Sequence, residues 1–176
     1  LDDIVGNAQM IFSNSLLYSA PTCANLLYAL LREPALMDRV TEEVDAVFGD
    51  GVPSLATLMQ LHLLQAALRE SMRMYPVALS VVRRAAQTFE FEGYRVEAGE
   101  TIIVATSVCH FLTEFYPDPW VFDPSRCLAP RNEHRRPGAF VPFGLGAHSC
   151  LAAGLVEVMV MATVATILRT SRLVLD

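Results

Sequence analysis

Residues 4–32 are rich in Leu, Ala and Tyr and are punctuated by one proline, Pro21, which predicts a single long helix over 4–32. Pro21 has no N–H to give and its ring crowds the carbonyl four residues back, that of Leu17, so a kink is expected between them. Glu33-Pro34 separates this helix from a second, because proline is tolerated in a first helical turn. From Ala35 to Phe48 the apolar positions Leu36, Val40, Val44 and Val47 follow steps of three and four, and Gly49-Asp50-Gly51 stops the run. Ser54 is placed to cap a short helix to Gln60. Leu61 to Met74 is a further helix, halted at Tyr75-Pro76, so the helical region extends to residue 75.

Beyond it the period changes. Phe89, Phe91, Tyr94, Val96 and Thr101 to Val104 form short runs split by Glu92-Gly93 and Ala98-Gly99-Glu100, which predicts two or three antiparallel strands within a small β region, 81–105. Arg83 and Arg84 precede these runs. Val108 to Tyr116 reads as a short helix. Residues 117–130 are a proline-punctuated coil without period, and Asn132 to Gly138 a polar loop. A glycine-bearing loop over 141–152 then feeds a final apolar helix, 151–169. The expected architecture is mainly α with a small antiparallel β component, in one partial domain over 1–176.

Glu70 and Arg73 lie three apart, so they share one helix face, and Leu63 and Ala66 lie on that face too. An exposed pair there would contribute little. A buried one would make loss of either partner cost roughly 3–5 kcal/mol. In Phe143-Gly144-Leu145-Gly146-Ala147-His148-Ser149-Cys150, the two glycines permit tight backbone turns and deliver one cysteine to a helix start. Partial positive charge at such an end favours a thiolate, and Phe143 would shield it from water. This is what a metal centre asks of an axial ligand. The plain reading is a lone cysteine behaving as a small hydrophobe.

Composition narrows the class. The 176 residues are 53% hydrophobic with Tyr counted and Gly left out; exchanging the 5 Tyr for the 9 Gly gives about 55%, above the roughly 45–50% of ordinary domains on that count, which points to helices covered on several sides. The chain starts at Leu1 rather than Met, in what reads as the middle of a helix, and is expected to be part of a longer polypeptide extending upstream of Leu1. A net charge of −6 without blocks of like charge leaves no nucleic-acid footprint. Cys23, Cys109, Cys127 and Cys150 show no CxxC pairing, which favours a reducing compartment and a cytoplasmic location. Leu151 to Leu168 reaches membrane-span length, but Glu157 interrupts it, and a helix apolar all round also serves as a core helix.

The cysteine stretch resembles the haem-binding loop of the cytochrome P450 family, with Phe143, Gly144, Gly146, His148 and Cys150 at the family's positions. Ala152 stands where the family usually has glycine. Glu70-Ser71-Met72-Arg73 resembles the family's Glu-x-x-Arg motif, and Arg126 the arginine of its proline-rich meander that locks that pair. Cys127 replaces the usual aromatic. The resemblance implies haem b (iron protoporphyrin IX) bound through Cys150, with Arg83 and His110 facing its propionates. It implies monooxygenation of an organic small molecule, with a ferredoxin or a reductase as electron donor.

One part of the pattern departs from the family. Counting back from Glu33-Pro34, the glycine and acid–alcohol pair expected over the haem fall on Ser15 to Ser19, where no acid is present and Tyr18 or Ser19 holds the alcohol position. Tyr18 and Ser19 are therefore the catalytic candidates. Their chemistry also admits a peroxide-using or isomerase-type enzyme. Two further alternatives are a non-catalytic relative and a zinc site built from Cys109, His110, His148 and Cys150.

Overall fold

A computed structural model describes residues 2–49, 51 and 54–175. Leu1 and Asp50, which figure in the expectations above, lie outside the described residues. Four helices precede the β region: α1 (Asp2–Leu31), α2 (Pro34–Phe48), α3 (Leu55–Leu58) and α4 (His62–Met74). Helix α5 (Ala153–Thr170) closes the chain. The fold is mainly α with two small antiparallel sheets.

Helix α1 runs unbroken through Pro21. Thr22 Oγ1 donates to the Tyr18 carbonyl at 2.7 Å, one residue along from the Leu17 carbonyl that proline leaves without a donor. The C-terminal half of α1 enters the core through Leu26 and Leu30. Its N-terminal half exposes Ile4, Val5, Met10, Ile11, Phe12, Leu16 and Leu17. An apolar stripe of that extent is a surface suited to being covered.

Helix α2 buries Val40, Val44 and Phe48 and turns its charged residues outward. Glu43 is the exception. Its two carboxylate oxygens accept the Leu63 and Leu64 N–H groups at 2.7 and 2.9 Å, so α2 caps the start of α4, where Leu61 offers no side-chain cap. Ser54 and Thr57 form a reciprocal capping box at α3. Helix α4 buries Leu64, Leu68 and Met72 together with Glu70 and Arg73. Helix α5 is long and apolar enough, by length and composition, to cross a membrane. It packs against α1, α2 and α4 through Val160, Val164 and Leu168, as a core helix does.

The β region has four strands rather than two or three. Strand β1 (Val81–Arg84) pairs antiparallel with β4 (Thr101–Val104), and β2 (Phe89–Phe91) with β3 (Tyr94–Val96). The two arginines thus belong to a strand, with Arg83 opposite Ile102. The strand falls inside the expected β region, 81–105, although it is largely exposed and carries no alternation to read. The helix expected over Val108 to Tyr116 is one 3₁₀ turn, Val108–Phe111. Leu112 is already extended, Asp118 has φ +51°, and Pro117 and Pro119 have no N–H to continue a ladder.

Candidate haem-thiolate site

The cysteine loop is held by its own backbone. Gly144 and Gly146 have φ of +74° and +72°, in the left-handed region where a side chain would be strained. Gly144 N–H donates to the Val141 carbonyl at 3.2 Å, and Ser149 N–H to the Gly146 carbonyl at 3.1 Å. Cys150 N–H donates to the Phe143 carbonyl at 2.8 Å, closing the loop on itself. Cys150 thus sits immediately ahead of α5, exposed and with a free thiol. Leu145, Leu151 and Leu155, its neighbours along the chain, are exposed, as is His148. Phe143 packs against the core.

Glu70, Arg73 and Arg126 come together in a buried network. The Glu70 carboxylate takes Nε and Nη2 of Arg73 at 2.9 and 2.8 Å, a bidentate pairing with both side chains fully buried. Arg126 Nε stands 3.4 Å from Glu70 Oε1, an ion pair without hydrogen-bond geometry. The third arginine contact was not visible in the sequence: Arg126 Nη1 donates to Glu133 at 3.2 Å, and Glu133 in turn accepts from Arg131 at 2.7 and 2.9 Å. Arg131 also reaches Asp123 at 2.6 Å. Arg73 spends its remaining donors on carbonyls: Nη1 on those of His110 and Pro119, both at 2.7 Å, and Nη2 on that of Val121 at 3.3 Å. Glu70 and Glu133 therefore offset Arg73 and Arg126 in a buried site, with the partly exposed Arg131 and Asp123 at its edge. Cys127, beside them, has its thiol pushed up to about 12 by burial, so it packs as a small neutral side chain.

His110 is a correction. The resemblance placed it toward a propionate, but its ring is buried and both nitrogens are engaged. Nδ1 meets the Arg73 carbonyl at 3.2 Å, and Nε2 accepts the Val141 N–H at 3.0 Å. No donor remains for a carboxylate. Arg83, by contrast, is exposed, and among the described residues its one hydrogen bond is to the adjacent Val82 carbonyl, leaving most of its guanidinium available.

Tyr18 and Ser19 separate. Tyr18 is 43% exposed, next to the exposed Leu16 and Leu17, whereas Ser19 is 7% exposed with its Oγ unpaired in the interior. Of the two alcohols, only Tyr18 faces the open side of α1. A cavity of about 340 Å³ opens beside the cysteine loop, lined by Arg69, His134, Arg135, Phe143, Gly144 and Glu157. Arg69 and Glu157 pair across it at 3.6 Å. Burial and the nearby arginines Arg69 and Arg135 hold the His134 imidazole below its usual pKa. Among the described residues no three His, Cys, Asp or Glu side chains converge as a metal-ligating group.

The donor set suits a haem. One free, accessible thiol stands among exposed leucines fit for an apolar disc, and Arg83 keeps donors suited to an acidic edge group.

The family model described as Cytochrome P450 matches residues 2–176. Thromboxane-A synthase of Mus musculus is 33% identical over 174 residues, covering 98% of this chain and 33% of that protein. Sterol 14alpha-demethylase of Mycolicibacterium vanbaalenii is 31% identical over 153 residues, covering 86% of this chain and 34% of that protein. The crystal structure of the cytochrome P450DA heme domain superposes with a TM-score of 0.78 at 25% identity, over 86% of this chain and 34% of that one. The chain spans about a third of the length of these relatives. The chain belongs to the cytochrome P450 family.

Proposed function

We propose that the full polypeptide carrying this chain is a haem-thiolate oxidoreductase that oxygenates an organic small molecule, with haem b held through Cys150. The observation that carries this reading is the loop: two left-handed glycines and the Cys150–Phe143 bond present one accessible cysteine at the head of a core helix. Bound haem would supply the oxygen chemistry, as porphyrin cofactors do, with the thiolate donating electron density. The protein's own share is then to fix the ligand, anchor the acidic edge through Arg83, and exclude water. The exposed apolar stripe of α1 supports this, since it would form one wall of a covered pocket once the remainder of a relative-sized polypeptide packs on it. An oxygenase of this kind takes electrons from a ferredoxin or a reductase.

The oxidant is a separate question, and α1 favours a second reading. No carboxylic acid stands at residues 15–19, Thr22 has committed its hydroxyl proton to the Tyr18 carbonyl, and Ser19 is interior. That leaves Tyr18 as the proton donor on the open side, and a phenol is a weaker acid than the absent carboxyl. A peroxide or peroxidised substrate, whose O–O bond arrives already reduced, asks less of such a relay. Similarity to a protein named as a synthase, beside one named as a demethylase, is consistent with either chemistry.

The test is the spectrum of the reduced, carbon monoxide-bound full polypeptide. A red-shifted Soret band supports thiolate ligation. Haem binding without that band, or no haem binding, overturns the reading in favour of a non-catalytic relative.

A further inference from the structure

His110 is fully buried yet carries no role in the ion network beyond its backbone carbonyl. Its ring nonetheless has only one possible protonation pattern. A backbone N–H can only donate, so Nε2, which meets the Val141 N–H at 3.0 Å, must be unprotonated. Nδ1 faces the Arg73 carbonyl at 3.2 Å, an acceptor, so the ring's single proton sits there. Arg73 and His110 thus exchange two bonds, guanidinium to carbonyl in one direction and imidazole to carbonyl in the other. The far side of the ring reaches a different part of the chain.

That part is the entry to the cysteine loop. Val141 gives its N–H to His110 and its carbonyl to Gly144, so both of its backbone groups are pinned. Phe140, its neighbour, stacks on the His110 ring at 5.7 Å between centroids. Two residues earlier in the chain the Ala139 carbonyl accepts the Tyr116 hydroxyl at 3.1 Å, and the Arg73 guanidinium lies over the Tyr116 ring at 4.9 Å. Two residues beyond Val141, the Phe143 carbonyl holds Cys150. The buried arginine is therefore tied to the loop by two neutral side chains at 139–141, and His110 is the one that bonds the residue at the turn's own origin.

We propose that His110 is a positioning residue for the cysteine ligand: it transmits the placement of Arg73 to Val141 and so sets the turn that holds Cys150. This rests on the haem-thiolate reading for its consequence but not for its mechanics, which are a property of the chain itself. A histidine that only fills space would tolerate any residue of similar volume. One that bridges requires an acceptor at the position of Nε2.

Two substitutions in the full polypeptide separate these cases. His110→Asn places its amide at the level of Nδ1, retaining the Arg73 contact and losing reach to Val141. His110→Gln extends an acceptor to the level of Nε2. Amide hydrogen exchange reads the loop directly, whatever ligand it carries. For His110→Asn the segment 141–144 is expected to exchange about tenfold faster, as an orphaned buried N–H implies, while α2 stays at the parent rate. His110→Gln is expected to restore protection. In the reduced carbon monoxide complex the ratio of red-shifted to unshifted band is expected to fall about tenfold with Asn and to recover with Gln. Unchanged exchange at 141–144 in His110→Asn, or loosening spread equally through α2 and α5, overturns the proposal. Absence of a red-shifted band in the parent overturns the ligation reading instead, and leaves the exchange result to decide the bridge.

Discussion

The main-chain N–H of Cys150 donates to the carbonyl of Phe143 at 2.8 Å. That bond makes the intervening residues a closed ring, in which Gly144 and Gly146 supply the two left-handed turns that the closure needs. The thiol is then placed by main-chain geometry, upstream of any ligand.

Removing the Glu70 carboxylate leaves Arg73 and Arg126 facing each other's charge in a dry site. Glu70→Ala is expected to lower unfolding stability by roughly 3–5 kcal/mol, the scale for breaking a buried pair on one side. Urea denaturation of the full polypeptide measures it, with haem content falling in parallel. A loss below about 1 kcal/mol would be the behaviour of a surface pair instead.

Glu43 caps a helix that is not its own. Glu43→Ala leaves the Leu63 and Leu64 N–H groups at the start of α4 without an acceptor. The expected cost is about 0.5–2 kcal/mol, the range for loss of an N-terminal cap. Glu42→Ala, one residue away and exposed, is the control and is expected to stay within about 0.5 kcal/mol of the parent.

Acid should weaken the fold through His110. Burial first, and then repulsion from the Arg73 guanidinium, lower its pKa from 6.5 to about 4, while its bond to the Arg73 carbonyl works the other way. Between those values the unfolded chain binds a proton that the folded one refuses, so stability is intact above pH 6.5 and declines as pH falls toward 4. His134, also lowered, contributes in the same direction. The His110 share is on the order of 2–3 kcal/mol at the acid end. His110→Gln, which cannot take up that proton, should lose less stability than the parent between neutral pH and pH 4. Parallel pH profiles for the two proteins would contradict this.

If Tyr18 is the proton donor on the open face of α1, the full polypeptide should couple oxygen and reductant poorly and turn over with peroxide. The ratio of product formed to reductant consumed, beside a peroxide-driven assay on the same substrate, measures both. Tyr18→Phe is expected to lower oxygen-driven turnover by about 10²-fold or more, the lower end for losing a positioned acid, and to leave the peroxide route largely intact. Tight coupling with oxygen and no peroxide activity would restore ordinary monooxygenation.

Periodicity and motif spacing located the long helices, though not the single 3₁₀ turn at Val108–Phe111, and with them the Glu70/Arg73 face and the cysteine loop, because each is a local pattern in which neighbours in sequence are neighbours in space. What escaped has no local pattern. Glu133 joins Arg126, Glu43 caps α4, and His110 bridges Arg73 and Val141 across separations of 37 and 31 residues. Such bonds are decided by how the elements pack, and no spacing announces them. The pairing of strand β1 escaped for a related reason: β1 lies inside the expected β region, but it pairs with β4 across the whole β2–β3 hairpin, and its outward Val82, Arg83 and Arg84 carry no alternation. Ser19 shows the opposite failure, a polar residue chosen for its hydroxyl that the helix turns into the core.

The most direct test of the central claim is ligand exchange at Cys150. The full polypeptide and its Cys150→Ser variant are reduced, saturated with carbon monoxide and compared by absorption. Thiolate ligation by Cys150 predicts a red-shifted Soret band in the parent that is lost in the variant, because a serine hydroxyl is a far poorer donor to this iron. Retention of the band in Cys150→Ser would place the ligand on another residue and contradict the site described for this loop.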